Sequence, residues 1–99
     1  MDSNFFLKTT VAELSSEQKS VLNRKGNELF TAGKIEMAAK IFTTTGYSDG
    51  LARVGDFFYQ KNEKLTALRY YQLAHNRNNV DVIVKDIARL LQMVMEGEN

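Results

Sequence analysis

The sequence predicts an all-α fold: two stacked antiparallel helical hairpins followed by a C-terminal capping helix. Three observations carry this expectation. One stretch occurs twice, as LNRKGNELFTAGKIEMAAKIF from Leu22 to Phe42 and as LARVGDFFYQKNEKLTALRYY from Leu51 to Tyr71, at a constant offset of 29 residues. Apolar residues recur at helical rather than strand spacing. The chain has no proline, which suits helices joined by tight connections. A repeat period between about 20 and 50 residues points to stacked supersecondary units. Such arrays bind other proteins far more often than they do chemistry.

Five positions define the match. They are Leu22, Gly26, Leu29, Ala38 and Phe42 in the first copy, and Leu51, Gly55, Phe58, Ala67 and Tyr71 in the second. A glycine inside a helix costs roughly 1 kcal/mol against alanine. Two of them, both central and in register, imply a packing reason. Small residues let two helices approach, so Gly26 is expected to face Ala38, and Gly55 to face Ala67.

Residues 1–15 precede the repeats as an arm or short helix containing Phe5, Phe6, Leu7, Val11 and Leu14. Three large apolar residues in succession are an aggregation liability in water. They are expected to dock on the open repeat end or on a neighbouring molecule. Ser15 and Gln18 have the spacing of a capping box, which starts a helix over 16–32. Gly33 is placed to end it in the left-handed conformation. A second helix over 35–44 carries Ile35, Ala38, Ala39, Ile41 and Phe42, and Gly46 closes it. Ser48 or Asp49 caps a third helix over 49–61, with Gly46 and Gly50 read as turn residues. Asn62 marks the next turn. A fourth helix over 63–76 places Leu65, Ala67, Leu68, Tyr71 and Ala74 on its apolar face. The fifth, over 80–95, ends a helical domain of residues 16–96, and the tail 97–99 frays.

The fifth helix carries more apolar surface than a cap needs. Its apolar residues span an arc of roughly 160°, beyond the ~100° of an ordinary core-facing stripe, and Val82 and Met93 lie outside even that. Leu90, Met93 and their neighbours are therefore candidates for contact with a second copy or a partner.

Thirteen Lys and Arg stand against 12 Asp and Glu, for a net charge of +1. That field holds neither nucleic acid nor an anionic membrane surface. With no cysteine, disulfides, thiolate nucleophiles and Cys-ligated zinc are excluded. No apolar run approaches the ~18 residues of a membrane span, and the N-terminus lacks the pattern of a signal peptide. A cytoplasmic location is expected. His75 is the one histidine, and a helix end that tolerates partial positive charge accounts for it. Neither a phosphate-cradling glycine loop nor a metal-ligand spacing occurs. The reading is of a non-enzyme, with no catalytic residues, no cofactor and no metal.

The repeated positions resemble the tetratricopeptide repeat family, whose unit is a helix–turn–helix with small, large and aromatic residues at set places. Leu22, Gly26, Leu29, Ala38 and Phe42 match in the first unit. Leu51, Val54, Gly55, Phe58, Ala67, Tyr71 and Ala74 match in the second, and the resemblance covers residues 18–79. The family's repeat is about 34 residues long, and the residues missing here fall around Thr45-Gly46-Tyr47. The resemblance implies an adaptor or chaperone that holds a protein or peptide segment in a concave groove. The lining positions it implies include Asn23, Asn27 and Phe30 on the first helix, and Arg53, Asp56 and Tyr59 on the third. Asn27 matches an asparagine of the family's carboxylate clamp, but Asn23 stands where that clamp has lysine. The alternative is a structural subunit that forms a homo-oligomer, or packs into a larger assembly, through its terminal helix and arm.

Overall fold

The computed structural model describes residues 14–97. The expected docking of the arm falls on residues 1–13, outside that range, as do the last two residues of the expected tail. Every regular element among the described residues is a helix: α1 Ser16–Thr31, α2 Ile35–Thr45, α3 Ser48–Gln60, α4 Lys64–Leu73 and α5 Arg77–Gly97. The fold is all-α, and each helix lies within about one turn of its predicted bounds. The chain divides into two compact units that part between Leu51 and Ala52, inside α3.

In the first unit α1 and α2 form a helical hairpin. The predicted capping box starts α1: Gln18 N–H donates to Ser15 Oγ at 3.1 Å, and Ser15 N–H donates to Gln18 Oε1 at 2.8 Å. Ile35, Ala38, Ala39 and Phe42 of α2 are buried, as is Leu51. A Cβ built on Gly26 would lie 2.5 Å from Phe42 Cε1, and one on Gly50 would lie 2.6 Å from Phe42 Cγ. Two expectations change here. The closest group to Gly26 is the ring of Phe42 rather than Ala38, because a flat ring set against bare backbone fills the space that a Cβ would take. Gly50 is no turn residue: it is helical, buried, and lies against the same ring. The α3 helix accordingly starts at Ser48, one residue before its predicted first turn.

The second unit comprises α3 from Ala52 onward, α4 and α5. Ala67, Tyr71 and Ile83 form its buried core, with Phe58, Tyr59, Leu68, Val80 and Ile87 packed around them. Gly55 repeats the arrangement of Gly26: its Cβ would lie 2.6 Å from Tyr71 Cε1, so the nearest group is again the aromatic ring.

The 29-residue register extends to the turns. Gly33 and Asn62 have φ of 85° and 64°, and Gly46 and His75 have φ of 73° and 57°. Lys34 N–H donates to Leu29 O at 2.9 Å, and Glu63 N–H donates to Phe58 O at 2.9 Å. Tyr47 N–H and Asn76 N–H donate in the same way to Phe42 O and Tyr71 O, at 3.0 and 2.9 Å. Each bond closes a helix end whose carbonyls would otherwise be unpaired. His75 is thus a left-handed closing residue, which is why α4 stops at Leu73 instead of reaching 76. Asn76 then caps α5, its Oδ1 accepting from Asn79 N–H at 3.2 Å. That cap moves the start of α5 from the predicted Val80 back to Arg77.

Candidate functional site

The residues expected to bind a partner fall in both units. In the first, Asn23 is half-buried on α1, and its Oδ1 accepts from Thr45 Oγ1 at 2.5 Å. Asn27 and Phe30, on the same helix, are also half-buried. In the second unit Arg53 is exposed on α3. Asp56 accepts a hydrogen bond from the Tyr71 hydroxyl. The Tyr59 hydroxyl donates to Asp86 of α5 at 2.9 Å, and Lys64 Nζ stands 3.8 Å from the same carboxylate. Asp56 and Tyr59 come together at a small hollow that Asn79 and Val82 also line. Both therefore brace the helices of their unit, a role the sequence reading did not give them.

These bonds set the chemistry of the two phenols. The hydrogen bond to Asp86, that carboxylate's charge and desolvation all raise the Tyr59 pKa. Burial, then the hydrogen bond and charge of Asp56, push Tyr71 well above the ordinary tyrosine range. Each hydroxyl stays protonated as a donor and offers no base. Among the described residues no group of three or more His, Cys, Asp or Glu could hold a metal ion.

An apolar groove shaped to receive another molecule lies in the second unit. Leu65 at the start of α4 faces Ile87, Leu90, Leu91 and Val94 across it, and Glu63 and Lys64 stand at its rim. Its origin lies in helix length. The 21 residues of α5 rise about 31 Å and the 10 of α4 about 15 Å. The last turns of α5 run on beyond what α4 covers, and every residue from Ala88 to Gly97 is exposed.

Leu90 lines the groove as expected, whereas Met93 is exposed outside it. Leu65 corrects the sequence reading, which placed it on the core face: it is 73% exposed. Its register partner in the first unit is Glu36, an outward residue. That pairing was the signal available for it.

No family profile matches the chain, and no solved structure does. A protein of Treponema pallidum (strain Nichols), described only as uncharacterized, is 39% identical over 97 residues. The match spans 95% of this chain and 93% of that protein. Among the described residues no helix is long and apolar enough to cross a membrane.

Proposed function

This chain belongs to one family with the treponemal protein, and we propose that it is a small, non-enzymatic protein-interaction module built from tetratricopeptide-like hairpins. Its role is that of an adaptor or chaperone that holds a protein or peptide segment. The reading rests on one observation above all. The groove between Leu65 and the row Ile87, Leu90, Leu91 and Val94 is open, apolar and rimmed by charge. Exposed apolar surface gathered in one place marks an interaction site, whereas scattered single residues need no explanation. The tetratricopeptide reading is supported by the small and aromatic residues that pair in each hairpin, Gly26 with Phe42 and Gly55 with Tyr71. A segment that presents two or three large apolar side chains at helical spacing would fill the groove.

Panning a displayed peptide library on the wild type and on Leu65→Glu tests this. The expected result is a set of peptides with spaced apolar anchors that the wild type retains and the variant loses. Peptides that bind both equally, or no enrichment at all, would remove the groove from consideration.

A further inference from the structure

The start of α5 repeats the start of α3 at the same 29-residue offset. Leu51 N–H donates to Tyr47 O at 3.0 Å, and Val80 N–H donates to Asn76 O at 3.1 Å. Buried Val54 and buried Ile83 correspond in the same way. In this register α5 stands where the first helix of a third unit would stand. The glycine position is the revealing one. Gly26 and Gly55 lie against the aromatic ring of their own second helix, and the third position is Val84, 50% exposed. A Cβ at the glycines would come within 2.5 or 2.6 Å of a ring carbon. Val84 therefore excludes another aromatic-bearing helix of the same kind. A helix that docks on the open face would need a different pattern.

That face is a stripe of Val84, Ala88, Leu91 and Met95, with Leu91 60% and Met95 71% exposed. The intervals of four, three and four residues read the same in both directions. A two-fold interface needs one patch that complements itself, and this spacing lets two copies of the stripe meet antiparallel in register. We propose that the stripe docks against a second copy of this chain, with the two α5 helices antiparallel and the two-fold axis between Arg89 and Leu90. Val84 then meets Met95 of the second copy, and small Ala88 meets its large Leu91, so the apolar rows interdigitate. The charges beside the stripe agree with this register. Lys85 falls next to Glu96 of the second copy, and symmetry makes that contact twice. Among the described residues Lys85 is in no ion pair, and Glu96 accepts only a long 3.4 Å hydrogen bond from Gln92.

Sedimentation equilibrium of the full chain is the first test, with a dimer expected in the micromolar range. Leu91→Glu and Ala88→Glu should each give a folded monomer of unchanged helix content. Lys85→Glu should weaken the dimer roughly tenfold, since symmetry counts each contact twice. Adding Glu96→Lys to it should restore the affinity. The chain has no cysteine, so Val84→Cys combined with Met95→Cys should give a covalent dimer on oxidation, and neither single variant should. A wild type that is monomeric at several hundred micromolar overturns the proposal. So does a dimer unaffected by Ala88→Glu, or a Val84→Cys single variant that cross-links as well as the pair. Leu91 belongs to both surfaces, so the separating variants are Leu65→Glu, which should leave the mass unchanged, and Ala88→Glu, which should leave peptide retention unchanged.

Discussion

His75 is the clearest case of one side chain in a place that suits another. Its φ of 57° lies in the left-handed region, which costs a side chain of L configuration roughly 1–2 kcal/mol, and glycine avoids that cost. Glycine gives part of this back through the greater freedom of the unfolded chain. His75→Gly should therefore raise stability by about 0.5–1 kcal/mol, read from the urea midpoint. Asn62→Gly, at φ 64°, should give a smaller gain, because the short polar side chain of asparagine can hydrogen-bond locally in this region. The buried glycines should respond in the opposite sense. Gly55→Ala places a methyl 2.6 Å from the Tyr71 ring, and that overpacking should cost about 1–3 kcal/mol. Equal stability of Gly55→Ala and wild type would contradict the close approach of ring to backbone.

At the scale of elements, two phenol–carboxylate bonds tie helices of the second unit together: Tyr71 on α4 to Asp56 on α3, and Tyr59 on α3 to Asp86 on α5. Both phenols have raised pKa values in the folded chain. A group whose folded pKa lies above its unfolded value binds its proton more tightly when folded. Its contribution is whole below the unfolded value of about 10 and is lost as pH rises beyond it. Denaturant midpoints should hold steady across neutral pH and fall progressively above pH ~10. In Tyr59→Phe with Tyr71→Phe that alkaline fall should be shallower. An unchanged slope in the double variant would mean that other groups cause the loss. The helices themselves were legible in the sequence, because the capping box and the apolar spacing are local signals. The helix ends were less so. Asn62 and His75 do the work of Gly33 and Gly46 without being glycine, and only the 29-residue register relates them. The groove was half legible for a similar reason. Leu90 follows from the excess apolar arc of α5, but Leu65 looks like a core residue until it is set against Glu36.

For the whole molecule, core and proposed docking surface separate along α5. Val80, Ile83 and Ile87 pack into the second unit, whereas every residue from Ala88 to Gly97 is exposed. A chain that ends after Arg89 should keep its fold and lose less than about 1 kcal/mol, since exposed residues contribute little each. It should also lose both peptide retention and self-association. Thermal melts beside sedimentation would show this, and a truncated chain that still binds would place the interaction on Asp56, Tyr59 and their hollow instead.

The matched turn residues have a further consequence, for how this chain can change length. Gly33 and Asn62 hold equivalent backbone positions, as do Gly46 and His75, so the segment from Tyr47 to His75 is a complete module with compatible ends. Pasting a second copy of that block after His75 would keep every left-handed residue and helix start in phase. An insertion one residue longer or shorter would throw all that follows out of phase. Lengthening by whole modules should thus be tolerated and lengthening by fractions should not, so the natural unit of growth for this protein is the module rather than the residue.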